Sequence, residues 1–269
     1  MTAADAISSN TSSQRPFPGF LDLLRAETIK LRRSLILGLA LLFPLGLLTI
    51  AILVGFLVIK PTDHATWRNW MSFTLVPWSN FLLPMMICLL SSLLLNLEHQ
   101  NHQWKHLHAL PIQRWKHLAA KQALMGLLLV LSHGLLFLGF WLGGWALRLA
   151  RPGIRFEAPS APLLASLLGF ILLASWAVAA VHTWLAARFP NLGVNVGIGL
   201  GGVMFIAVVA RRPAMARAFP WAMPGCSLSD WMGDPEAISP WVSVGLSVAM
   251  GLALIALACW DAQTRESES

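Results

Sequence analysis

Six stretches free of Asp, Glu, Lys and Arg alternate with shorter polar segments along this chain: residues 35–59, 69–97, 122–147, 158–187, 189–210 and 237–260. Each is long enough to cross a bilayer core, which takes about 20 apolar residues at about 1.5 Å of rise per residue. None alternates polar and apolar positions with the period of two that barrel strands require. Lipid offers no other partner for backbone polar groups, so each stretch reads as a helix. The pattern predicts an all-α, polytopic membrane protein whose six transmembrane helices occupy residues 35–260. The first stretch begins at Leu35 with no small-residue cleavage site behind a short apolar core, and it reads as a retained span.

A different periodicity precedes it. Residues 1–16 are small, polar and rich in Ser and Thr, the composition of a disordered tail. Over residues 17–34, Phe17, Phe20, Leu21, Leu24, Thr28, Leu31 and Leu35 recur at spacings of three and four. Asp22, Arg25, Glu27, Lys30 and Arg32 fall mostly on the other faces. This predicts an amphipathic helix lying in the cytoplasmic interface and turning into span one. Trp67 and Trp70 before span two, Trp145 and Trp184 near the ends of spans three and four, and Trp241 and Trp260 around span six mark headgroup level. The outer loop, residues 211–239, carries four prolines and two tryptophans. Short broken helices and an irregular proline-held cap both fit it. Residues 261–269 form a short polar tail.

Composition agrees with the pattern. Of 269 residues 57% are hydrophobic and 12% charged, and the mean hydropathy is +0.66; soluble domains carry about 25% charged residues. The net charge of +7 reads as loops facing anionic lipid, with no nucleic acid implied. Eleven Lys and Arg fall on the side shared by both termini and eight on the other. The basic cluster directly before span one places the termini in the cytoplasm. Three cysteines, Cys88, Cys226 and Cys259, share no ligand-like spacing, so neither a disulfide framework nor a metal cluster follows.

Residues 97–121 interrupt the apolar pattern most sharply. They form a charged, His-rich block between spans two and three, too polar for lipid and too rich in Trp and Leu for a slack linker. Such a loop suits the docking of a soluble partner. His99, His102 and His106 would share a helical face, but no second ligand cluster supports a metal site. Gly197-Ile-Gly199-Leu-Gly201-Gly202 lacks the following Gly-Lys-Ser/Thr of a phosphate loop and lies in a span, where small residues permit close helix packing. The chain therefore holds no nucleotide motif, catalytic group, cofactor site or metal site of its own. Among the few polar residues within spans, Ser and Thr fit interhelical hydrogen bonding. Asn80 with Pro84 in span two, and His133 in span three, are the candidates for a substrate path, because polar groups at depth are costly unless they face a cavity or partner.

Glu98, Asn101, Trp104-Lys105, Leu107, Leu110-Pro111-Ile112, Arg114 and Lys121 follow one another in a recognisable order: an acidic residue leaving span two, a basic-hydrophobic stretch, a Leu-Pro-aliphatic turn with Arg, and a Lys opening span three. With the opening helix Leu24-Arg25-Ala26-Glu27-Thr28-Ile29-Lys30-Leu31-Arg32-Arg33, they resemble the permease subunit of type-2 ATP-binding-cassette transporters. Within that superfamily the chain is similar to lantibiotic-immunity and bacitracin-resistance permeases. The resemblance implies a coupling helix in the loop, seated on a separate cytosolic ATPase dimer that holds the ATP and magnesium. It also implies a second permease subunit, a bacterial inner-membrane location, and expulsion of an amphipathic peptide or lipid-like compound. Five histidines in the loop depart from the family pattern. The rival expectation is a non-transporting assembly or sensor protein, or an intramembrane enzyme.

Overall fold

The computed structural model describes residues 19–31, 34–57, 67–100, 114–151, 160–189, 191–232 and 239–264, and helix is the regular structure among them. The elements are α1 (Phe20–Leu31), α2 (Leu35–Leu57), α3 (Trp67–Pro77), a π-helical turn (Trp78–Leu82), α4 (Leu83–Gln100), α5 (Arg114–Ala150), α6 (Ala161–Ala174), α7 (Trp176–Arg188), α8 (Leu192–Val209), α9 (Pro213–Ala218), α10 (Met223–Met232) and α11 (Pro240–Thr264). Among the described residues six bodies are long and apolar enough to cross a membrane: α2, α3–π–α4, α5, α6–α7, α8 and α11, hereafter spans one to six. The protein is an all-α polytopic membrane protein. We call the end of the bundle bearing α1 proximal and the opposite end distal.

Spans two and four form the centre. In span two 67% of the membrane-crossing window is buried within the protein, against 22% in span five. Span five therefore turns most of its surface outward. Packing is close where glycine removes a side chain. Gly139 of span three lies against Leu48 of span one, and Gly55 of span one lies against Leu147 of span three.

Two local breaks are repaired by side chains from neighbouring spans, and a third is accompanied by a π turn. Pro44, inside α2, has no N–H to give the carbonyl of Ala40; Ser132 Oγ of span three reaches that carbonyl at 2.8 Å, sharing its one proton between it and Leu128 O at 2.9 Å. Span four breaks at Ser175, and Ser247 Oγ of span six bridges the break, donating to Ala174 O at 2.7 Å and accepting from Ala177 N at 3.0 Å. Pro84 likewise leaves the carbonyl of Asn80 without its helical donor, and the chain just before it widens into the π turn, closed by Leu83 N donating to Trp78 O. The two side-chain repairs answer the same demand: in lipid, a freed backbone group needs a partner from the protein.

The segment after span five folds as two short helices, α9 and α10, which returns the chain to span six through a layer at the distal end. Arg217 of α9 meets Asp230 of α10 at 2.6 Å, and Ser243 Oγ at the start of span six donates to the same carboxylate at 3.2 Å. Also at the distal end, Arg151 Nη1 donates to the carbonyls of Phe56 and Gly55, satisfying the C-terminus of span one.

Candidate functional site

The proximal junction is built from α1, the end of span two and the start of span three. Asp22 Oδ2 accepts from Gly19 N at 3.0 Å, closing the first turn of α1. The buried residues of this helix are Leu23, Glu27 and Leu31, four apart and therefore on one face. Phe20, Leu21 and Ile29 are exposed, as is Gly19. This corrects the face expected from periodicity: Glu27 is not on the polar side but at the centre of the buried one.

What holds it there is Lys121. The helix of span three starts at Arg114, so Lys121 lies two turns inside it, not at its opening. Its side chain is 2% exposed. Lys121 Nζ donates to Glu27 Oε2 at 3.1 Å and to Leu94 O of span two at 3.0 Å. Lys30 Nζ donates to the other carboxylate oxygen, Glu27 Oε1, at 2.7 Å. Burial pushes the Glu27 carboxyl up, but the two ammonium groups outweigh it and hold the carboxyl below its ordinary value. Lys121 of span three thus fastens three elements, reaching α1 through Glu27 and span two through Leu94 O, and spans two and three flank the loop between them.

That loop's residues Trp104, Lys105, Leu107, Leu110 and Pro111 lie outside the described residues, as do Arg32 and Arg33 of the basic cluster. Glu98 falls on the last turn of α4 and Arg114 on the first residue of α5, where the backbone course alone is described. His99, His102 and His106 also lie there or in the loop; among the described residues no His, Cys, Asp and Glu group converges as metal ligands.

The three residues singled out for a substrate path are separated. Asn80 sits in the π turn and lines a distal cavity of about 340 Å³. Pro84 and His133 do not line it. His133 is buried against Trp78, with ring centroids 5.7 Å apart, and its Nδ1 pairs with Leu129 O at 2.8 Å. In the cavity wall, burial and then Asp230 push the Cys226 thiol up to about 11, which keeps it protonated.

A polar cluster joins spans two, four and five. Trp221 Nε1 donates to His182 Nε2 at 3.2 Å, so the ring proton of neutral His182 is on Nδ1, 2.7 Å from Asn195 Oδ1. Asn195 Nδ2 in turn donates to Ser92 Oγ at 2.7 Å and Ser91 Oγ at 3.1 Å. Every polar end of this chain finds a partner inside the bundle, which is the interhelical role expected for such residues. The glycine run serves the same packing only in part. Gly199 lies against Cys88 and His182, and Gly202 against Trp221, while Gly197 and Gly201 face open space.

Comparison with curated proteins returns no match. A family model described as ABC-2 family transporter protein matches residues 23–208, well over half of the chain, running from the buried face of α1 through span five. A match that takes in α1 and the first five of the six spans identifies the chain as a permease subunit belonging to the ABC-2 family of transporter proteins.

Proposed function

We propose that this chain is the membrane half of a pump driven by a separate cytosolic ATPase, and that residues 97–121 form the surface on which the ATPase sits. The observation that carries this reading is the Glu27–Lys121–Leu94 junction. A loop that transmits force needs rigid supports on both flanks, and this one is flanked by two helices tied through one buried lysine to each other and to a third. Trp104, Leu107 and Leu110 supply apolar area, since aromatic anchors commonly dominate interface energies. On this reading Pro111 ends the coupling helix, and Glu98, Lys105 and Arg114 supply rim charges that orient the partner. ATP and magnesium belong to the ATPase dimer. The basic residues Lys30, Arg32 and Arg33 hold α1 on anionic lipid of the cytoplasmic face, with both termini on that side of a bacterial inner membrane. A second permease subunit completes the pathway, and the cargo is an amphipathic peptide or lipid-like compound of the lantibiotic type, moved outward.

The test is the double substitution Trp104→Ala with Leu110→Ala, which leaves every Lys and Arg in place. It should insert normally yet lose ATPase association, or remain assembled while hydrolysis and transport part company. Normal co-purification together with wild-type protection of cells would overturn the docking role. Reporter fusions at Ser269 and near Glu157 should read opposite sides of the membrane.

A further inference from the structure

The distal cavity lies between the π turn of span two, the end of span five and the two short helices α9 and α10. At about 340 Å³ it falls at the small end of ligand-binding pockets, about 300–1,000 Å³. α9 and α10 follow residue 208, where the family match ends, so this wall lies outside the matched residues.

Its chemistry is selective. Most of the lining is apolar, including Val76, Ile206 and Leu228. The two charged groups of the lining, Arg217 and Asp230, pair with each other at 2.6 Å and leave no net charge. Asn80 is oriented by its amide nitrogen, which donates to Val76 O at 3.0 Å and Ser79 Oγ at 3.3 Å. Its carbonyl oxygen Oδ1 points at Gly225, where any Cβ would collide with it, and among the described residues nothing donates a hydrogen bond to it. An apolar chamber with one oriented, uncommitted acceptor suits a neutral guest bearing a donor. The π turn that presents this acceptor is an irregularity often found at functional sites.

We propose that this cavity is a binding site for a neutral amphiphile, which buries an apolar chain against spans two and five and donates a hydroxyl or amide hydrogen to Asn80 Oδ1. An anionic guest would have to break the Arg217–Asp230 pair, and a pure hydrocarbon would leave the amide oxygen desolvated. The chemistry is shared by hydroxyl-bearing neutral lipids and by capped apolar peptides.

The test is photolabelling of the full chain in lipid nanodiscs with a diazirine-bearing octanol, adducts being mapped by mass spectrometry. Adducts should concentrate on cavity residues such as Cys226 and Met232. Octanol should displace the label at about tenfold lower concentration than methyl octyl ether, the advantage of one hydrogen bond to a desolvated acceptor. Asn80→Leu should erase that advantage while labelling persists. Ser229→Trp, placed on the exposed rim, should abolish the cavity adducts. Displacement by dioctanoylglycerol assigns the site to lipid, and displacement by N-acetyl-leucine amide assigns it to peptide-like guests. Displacement by neither, equal potency of alcohol and ether on the unaltered chain, or unchanged labelling of Ser229→Trp would overturn the proposal. The readout requires no ATPase and no turnover, so its failure leaves the permease reading standing.

Discussion

Removing either partner of the Glu27–Lys121 pair should destabilise the bundle far more than removing both. At 3.1 Å and an effective dielectric of about 20, the direct attraction is about 5 kcal/mol. Desolvation of the two charges cancels most of that gain, so the pair adds little net stability compared with apolar residues of similar size. A lone survivor is another matter, because an uncompensated buried charge costs about 3–5 kcal/mol. Lys121→Met leaves the Glu27 carboxylate with Lys30, whose side chain is 36% exposed, so its cost belongs at the low end, about 3 kcal/mol. Glu27→Leu leaves the Lys121 ammonium, 2% exposed, without the carboxylate it donates to. Its cost belongs higher, about 4 kcal/mol. The double variant should lie within about 1 kcal/mol of the unaltered chain. Reversible unfolding in mixed dodecyl maltoside and dodecyl sulfate micelles, followed by circular dichroism, measures all four corners of the cycle. Independent sites add to within about 0.5 kcal/mol. Additive costs for the two substitutions would therefore refute the reasoning and reduce the junction to unrelated contacts.

The acid limb of stability provides a second check. Because Glu27 is held below its ordinary value of 4.5, its ionisation stabilises the fold fully above that value. The contribution is lost as pH falls through the lower folded-state pKa, so Glu27→Gln should flatten the stability–pH curve below about 4.5 in the same unfolding assay. Ser132→Ala removes the donor that satisfies the Ala40 carbonyl freed by Pro44. It should cost about 1–3 kcal/mol, recovered when Pro44→Ala restores the helical N–H; a cost unchanged by Pro44→Ala would contradict the repair. Gly202→Val should push into Trp221 and destabilise by about 1–3 kcal/mol, while Gly201→Ala, facing open space, should leave the thermal midpoint of the isolated chain unchanged. A reversed ranking would mean that span five is rotated from the orientation described.

The pattern of apolar stretches determined a good deal by itself. Six helices, their order and the all-α class follow from the absence of charge over lengths that match a bilayer, because lipid excludes every alternative for the backbone. The resemblance of residues 24–33 and 98–121 to ATP-binding-cassette permeases pointed to the superfamily on local motifs alone. Tertiary structure decided which residues meet. Glu27 looked like a surface charge on the polar side of an amphipathic helix, since periodicity identifies faces but cannot tell that a buried face carries a carboxylate awaiting a lysine 94 residues away. Lys121 read as the residue opening span three because charge marks the edge of an apolar segment, whereas helix continues wherever hydrogen bonding does, here back to Arg114. Asn80, Pro84 and His133 were grouped because polarity at depth is expensive. Only the bundle showed that Asn80 lines a cavity while His133 packs against Trp78. The same glycine run divides between internal contacts at Gly199 and Gly202 and open space at Gly197 and Gly201. Composition sets how much of a helix is apolar, but the rotation of that helix against its neighbours sets which of its residues touch.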